Sequence, residues 1–303
     1  MRVRIGTFNA ENLFARLRFK DDYSLAGGSQ DQWTVGATQM LPFSDRYRMT
    51  AQAMGAIQAD VLALQEIENL MTLKQFLRQF KAYWPEGGYP YQILIEGNDR
   101  RLIDVALISR YPLGYVRTYQ HDRNAKGQLI FSRDCLEVDV LLPNDKRLTV
   151  FVNHFKSMHG GREETMHIRK IQASRVVDIV QSRFHPDPGS ASWVIAGDFN
   201  DFMPSEGLAP LLTQPWLENV LERLPKSNQW THYFAGADEY NQLDYLLISK
   251  ALADANPNAM PIVERRGLPK RALKATGDRF PGVGFNTPKA SDHCPVVIEL
   301  ELL

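Results

Sequence analysis

The stretch Trp193-Val194-Ile195-Ala196-Gly197-Asp198-Phe199-Asn200 is a short apolar run that ends in polar side chains. Trp193 to Ala196 has the length and composition of a buried strand, and it delivers Gly197, Asp198, Phe199 and Asn200 at its end. The same punctuation recurs along the chain. Val3 to Phe8 delivers Asn9, Val61 to Leu64 delivers Gln65 and Glu66, and Leu148 to Val152 delivers Asn153 and His154. In the opposite sense, Asp104, Asp244 and the Asp292-His293 pair stand immediately before apolar runs. Antiparallel neighbours in a mixed sheet reverse direction, so strand ends and strand starts meet on one rim. All these groups are therefore expected to line one edge. An acid at one strand end is ordinarily a solvated turn or cap. The repetition, with two histidines in it, argues for a site.

Apolar runs at 2–8, 61–64, 91–95, 104–109, 128–142, 147–152, 192–196, 244–249 and 294–300 suit strands. Helical periodicity appears at 45–58, 69–81 and 162–184, with Ser44 or Asp45 as the first cap. The third segment sets Ile168, Ile171, Val176, Ile179 and Val180 among charged residues, an amphipathic pattern. Helices interspersed with many strands predict sheets covered by helices, with some antiparallel pairing. Residues 20–43, 97–101 and 254–290 read as irregular. Strand-like runs flank each of them, so one domain spanning 1–303 with long surface loops is expected.

Composition narrows the class. With 44% hydrophobic and 23% charged residues, the chain is neither disordered nor collagen-like nor a coiled coil. Lys+Arg and Asp+Glu both number 35, which excludes a uniformly basic nucleic-acid coat and leaves room for a local patch. Cys135 and Cys294 make no disulfide framework and no Cys-x-x-Cys pair. No run of 18 apolar residues predicts a membrane span. The first residues lack a signal-peptide apolar region, so a cytoplasmic location is expected; a mature secreted chain reads the same way.

The rim residues restrict the chemistry. Asn, Glu and Asp oxygens without a thiolate cluster suit a hard cation such as Mg²⁺ or Mn²⁺ rather than a structural zinc. A hard cation with one or two histidines suits phosphoester hydrolysis. An Asp orients or deprotonates the attacking water, and an imidazole stabilises or protonates oxygen charge.

Thr7-Phe8-Asn9, Leu64-Gln65-Glu66, Asn153-His154, Gly197-Asp198-Phe199-Asn200, Leu243-Asp244-Tyr245 and Ser291-Asp292-His293-Cys294-Pro295 together resemble, in order and rough spacing, the motifs of the endonuclease/exonuclease/phosphatase superfamily. That group includes the deoxyribonuclease I-like enzymes, apurinic-site endonucleases, inositol polyphosphate 5-phosphatases, neutral sphingomyelinases, deadenylases and tyrosyl-DNA phosphodiesterases. The resemblance implies a four-layer α/β/β/α sandwich of two packed mixed sheets flanked by helices. It implies a divalent-metal-dependent phosphoesterase. Carried over by position, Glu66 is the principal metal ligand with Asn9 and Asp292 close by, and Glu11 sits where some members place an extra metal-facing acid. Asp198 positions or deprotonates the water, and Asn200 helps hold phosphate or nucleophile. His293, paired with Asp244, contacts the scissile phosphate. His154 is the second phosphate-contacting imidazole, and Asp104 takes the place of the carboxylate that orients it.

The motifs name the reaction class and leave the substrate open. Arg101, just before Asp104, and Lys156 and Arg162, just after His154, form an expected substrate-binding rim. Arg265, Arg266, Lys270, Arg271, Lys274 and Arg279 are a second basic run suited to a phosphate backbone. These features and His154 favour a nuclease or phosphodiesterase acting on DNA or RNA. Zero net charge keeps a phosphatase or phosphodiesterase acting on a small or lipid phosphoester as the alternative. A binding scaffold without chemistry is the third class, opposed by the completeness of the constellation.

Overall fold

Two six-stranded mixed sheets carry the apolar runs in the computed structural model, which describes residues 1–19, 37–84, 87–143 and 145–302. The first sheet runs, in spatial order, Ile262–Val263, Val296–Glu301, Arg2–Leu13, Val61–Ile67, Asp104–Ser109 and Tyr91–Leu94. The second runs Leu217–Asn219, Asp244–Ser249, Trp193–Asp198, Arg147–His154, Cys135–Leu141 and Leu113–Arg117. Each sheet has a parallel pair inside it: Arg2–Leu13 with Val61–Ile67, and Arg147–His154 with Trp193–Asp198. Their other neighbours pair antiparallel.

Side-chain alternation explains the layers. Val3, Ile5, Val61, Ala63, Val105 and Leu107 of the first sheet pack in one core with Val138, Val150, Val152, Val194, Ala196, Leu246 and Ile248 of the second. The intervening residues Phe8, Leu62, Leu64, Ala106 and Ile108 point the other way. They pack under the helices Asp45–Ala56 and Leu70–Gln79 through Met49, Ala53, Leu73 and Phe76. On the opposite side Phe151, Trp193, Ile195, Tyr245 and Leu247 meet Ala173, Val176 and Val180 of the helix Arg162–Arg183. The order is helix, sheet, sheet, helix, the four-layer sandwich that the motifs imply. Strands covered on both faces, such as Trp193–Asp198, are buried at every position. Each such large apolar side chain contributes about 1.5–3 kcal/mol by leaving water.

Several expectations need correction. The run 128–142 forms a strand only over Cys135–Leu141, because Ser132-Arg133-Asp134 interrupts it with charge that finds local partners. The strand Leu113–Arg117, mostly exposed on the edge of its sheet, was too weakly apolar to read. Two short antiparallel pairs also escape pattern reading: Arg16–Phe19 with Ala37–Leu41, and His232–Phe234 with Glu239–Asn241. Residues 20–36 of the expected loop 20–43 lie outside the described residues. Ser44 occupies the cap position of its helix without a side-chain hydrogen bond, whereas Asn69 caps the next helix by accepting from the Thr72 N–H.

Candidate active site

Strand register alone assembles the centre of the site. Asp198 is the last residue of its strand; it stands opposite His154 on one neighbour and Asp244 on the other. The three side chains form a row across three adjacent strands. Gly197, one step before, is required by packing: a Cβ there would lie 1.9 Å from the Asn153 carbonyl oxygen, at φ 150°.

The first sheet delivers its groups through irregularity. Its register shifts between Asn9 and Leu13 and between Leu64 and Ile67. Within those shifts Glu11, Asn12 and Glu66 take φ values of 51°, 60° and 63°. Such left-handed positions are costly for non-glycine residues and persist where surroundings enforce them. Here the Asn12 N–H donates to Glu66 Oε2 at 2.9 Å and the Glu11 N–H to Asn9 Oδ1 at 3.0 Å. Asn200, at φ 51°, is fixed the same way by its N–H to Asp198 Oδ1 at 2.8 Å.

Asp198 is the hub. Its Oδ2 accepts from Asn9 Nδ2 at 3.0 Å and Asn200 Nδ2 at 3.1 Å. His154 Nε2 lies 3.5 Å and His293 Nε2 3.7 Å from that same oxygen. His154 Nε2 is also 4.0 Å from Glu66 Oε1. Burial pushes the Asp198 carboxyl up to about 7 against the pull of His293, with Asp244 adding to the rise. The two imidazoles diverge. Burial drives His154 well below the ordinary histidine range, assisted by the Arg133 charge. His293 is also desolvated, yet Asp244 and Asp198 hold it well above that range. Its Nδ1 lies 2.8 Å from Asp244 Oδ2, which also accepts the Thr231 hydroxyl at 2.7 Å. The site thus carries one neutral and one cationic imidazole on either side of a carboxyl poised near neutrality.

Asp292 and Glu11 lie toward the other end. Asp292 Oδ2 is 3.9 Å from His232 Nε2, and the His232 ring packs on His293 with centroids 4.6 Å apart. His232, Asp292 and His293 form one group whose ligand-capable atoms lie within 4.8 Å of one another; Asp198, Asp244 and His293 form another. Glu11 is engaged by Lys289 Nζ at 2.8 Å and by Arg46 at 3.7 Å, and burial raises its pKa.

Other expected residues fall differently. Asp104 is buried, but Gly97 N–H donates to its Oδ1 at 2.8 Å, and His154 Nδ1 has no hydrogen-bond partner. The expected Asp104–His154 pair is therefore not formed. Arg162 is drawn away from any rim role: it binds Asp201 at 2.7 Å and the carbonyls of Phe202 and Pro204. Arg101 remains largely exposed on its Asp99 partner, and its charge acts on both His154 and Lys156. The second basic run is mostly spent internally. Arg265 caps carbonyls of Asn228 and Trp230, Arg266 pairs with Glu264, and Arg279 holds the Leu268 and Ala272 carbonyls. Sequence reading missed His232, Thr231, Lys289 and Arg133. His232 opens, and Thr231 precedes, a three-residue strand with no apolar run to announce it, and Lys289 and Arg133 lie in loops, outside the strand ends that drew attention to the site.

The family model described as Endonuclease/Exonuclease/phosphatase family matches residues 4–302. The chain belongs to that family. Endonuclease/Exonuclease/phosphatase members are hydrolases acting on phosphoester bonds and depend on divalent metals. No curated protein matches by sequence search. Among solved structures, truncated TDP2 of Caenorhabditis elegans superposes with a TM-score of 0.63 at 14% identity, covering 99% of this chain and 97% of that one. The human Nocturnin catalytic domain with bound sulfate anion gives 0.63 at 16% identity, covering 100% and 95%. Beta toxin from Staphylococcus aureus gives 0.61 at 16% identity, covering 98% and 99%. These likenesses show the shared fold. Among the described residues, no helix is long and apolar enough to cross a membrane.

Proposed function

We propose that the chain is a divalent-metal-dependent phosphodiesterase that cleaves nucleic acid by in-line attack of water. The observation that carries this is Asp198 Oδ2, flanked by His154 Nε2 at 3.5 Å and His293 Nε2 at 3.7 Å. The donor set fits a hard cation: Glu66, Asn9 and Asp292 offer oxygens, and the site holds no thiolate cluster. A bound Mg²⁺ or Mn²⁺ at these residues would neutralise phosphate charge and acidify water. Asp198, near neutrality by burial, orients the attacking water and takes its proton. Asn9 and Asn200 fix that carboxyl through their Nδ2 donors. His293, kept cationic by Asp244, donates to the phosphate oxygen where charge develops. His154 supplies the second imidazole contact to phosphate.

One observation favours a nucleic-acid substrate. Exposed Arg101 and half-buried Lys156 place positive charge close enough to act on the site around His154, where flanking phosphates of a polymer would lie. The internal engagement of Arg265, Arg266 and Arg279 favours the second reading, a small or lipid phosphoester.

The deciding experiment is a substrate panel with Mg²⁺, Mn²⁺, Ca²⁺ and EDTA, run on wild type and Asp198→Ala. DNA or RNA is cleaved with Mg²⁺ or Mn²⁺, EDTA stops the reaction, and Asp198→Ala loses at least ~10³-fold while keeping its fold, read as an unchanged circular-dichroism spectrum and a cooperative melt. Intact nucleic acids under every metal would sink the first reading. Release of phosphate from inositol phosphates, or of phosphocholine from sphingomyelin, would then carry the second.

A further inference from the structure

The loop that precedes Asp104 holds an oddity outside the catalytic row. Leu102 adopts φ 56° and is 56% exposed. A bulky apolar side chain in the left-handed region is a rare outlier, and here the strain turns the side chain toward water. The conformation is imposed by a stiff frame. Leu102 N–H donates to the Asp99 carbonyl at 3.0 Å, closing a turn. Asp99 is itself gripped by the buried Arg133 at 2.8 Å and by the Arg101 N–H at 2.8 Å. Asn98 is tied to the carbonyls of Gln120 and Phe131 through its side chain and to Ser132 through its N–H. Immediately after, Ile103 is fully buried.

The frame therefore presents one apolar tip beside exposed Arg100 and Arg101, at the mouth of the strand that stands next to Ile67 and so next to Glu66. Nothing in the catalytic chemistry uses that tip. An aliphatic side chain flanked by guanidinium groups matches the surface of stacked nucleic acid, with apolar base or sugar faces between charged phosphates. From this geometry we propose that Leu102 is a wedge that packs against the base stack of a duplex while Arg101 holds an adjacent phosphate. The proposal rests on the nuclease reading and deepens it, naming base-paired substrate.

Leu102→Asn tests it, because Asn tolerates the left-handed backbone and removes only the apolar tip. Two measurements are made. The ratio of kcat/KM on a duplex oligonucleotide to that on bis-p-nitrophenyl phosphate is compared between wild type and variant. Separately, Asp198→Ala, with and without Leu102→Asn, is titrated with a duplex carrying 2-aminopurine, whose fluorescence rises when its neighbours unstack. Leu102→Asn should lower the ratio about tenfold or more and abolish most of the fluorescence rise. A ratio within twofold of wild type, or a fluorescence rise that survives the substitution, overturns the wedge while leaving the nuclease reading intact. Wild type that cleaves single strands and leaves every duplex intact overturns the wedge alone, and wild type that leaves all DNA and RNA intact overturns both.

Discussion

Replacing Asp244 by Asn tests the electrostatics of the site with little change of shape. Asp244 is fully buried, and its Oδ2 accepts from His293 Nδ1 at 2.8 Å and from the Thr231 hydroxyl at 2.7 Å. Thr231 Oγ1 also accepts the N–H groups of Leu243 and Asp244, so its proton is committed to the carboxylate. An amide keeps the volume and loses the charge. A hydrogen bond to a charged group contributes about 1.5–3 kcal/mol against about 0.5–1.5 for a neutral one, so Asp244→Asn should cost on the order of 1–2 kcal/mol of stability. The catalytic effect should be larger. His293 owes its cationic state first to Asp244, and losing one preorganised charge stabiliser typically costs about 10²–10³ in rate. The sign of the pH dependence follows from linkage. The folded pKa of His293 lies above its ordinary value, so the pair's contribution to stability is complete below about pH 6.5 and is lost as pH rises through the folded value. The melting-temperature deficit of the variant, measured in EDTA, is therefore greatest at mildly acid pH and narrows upward. Steady-state kinetics and thermal scans across pH check both effects. A variant retaining more than a fifth of wild-type kcat/KM, or a deficit constant with pH, refutes the assignment of His293 as an imidazolium held by Asp244.

Two further outcomes follow from packing and charge. Gly197→Ala should fail to fold or lose at least about 3 kcal/mol in denaturant unfolding, because its Cβ would sit 1.9 Å from the Asn153 backbone oxygen; an unchanged midpoint would contradict that account. Lys289→Met should destabilise by about 1–3 kcal/mol, since it leaves the half-buried Glu11 with Arg46 at 3.7 Å as its remaining cation. Adding Glu11→Gln should recover most of that loss, and strictly additive effects in the double-mutant cycle would deny the pairing.

What the sequence made legible was whatever follows from chain direction and local period. Asn9 and Glu66 at breaks in the ladder, His154 and Asp198 at strand ends, and Asp104 and Asp244 at strand starts do share a rim, because direction alternates in a mixed sheet. The paired Asp244 and His293 also read correctly as a contact. The hidden parts depended on side-chain geometry. The spacing of Asp104 and His154 says nothing of the Gly97 N–H that captures the carboxylate. The run from Arg265 to Arg279 reads as a grip for phosphates, yet Arg279 satisfies carbonyls of its own turn-rich loop, Arg265 those of Asn228 and Trp230, and Arg266 pairs with Glu264. His232 reaches the site through an isolated bridge to His293, a pairing without periodic signature.

The row of His154, Asp198 and Asp244 spans three neighbouring strands, whose spacing of about 4.8 Å is a property of the peptide ladder itself. The spacing of the reactive groups is therefore a manufacturing tolerance of the scaffold, set by the ladder and not by the outlying segments at 99–102, 235–238 and 270–287. Those segments can be exchanged like tool heads on a fixed chuck. Redirecting this enzyme toward a new phosphoester is a problem of loop grafting, with the three-strand row kept intact.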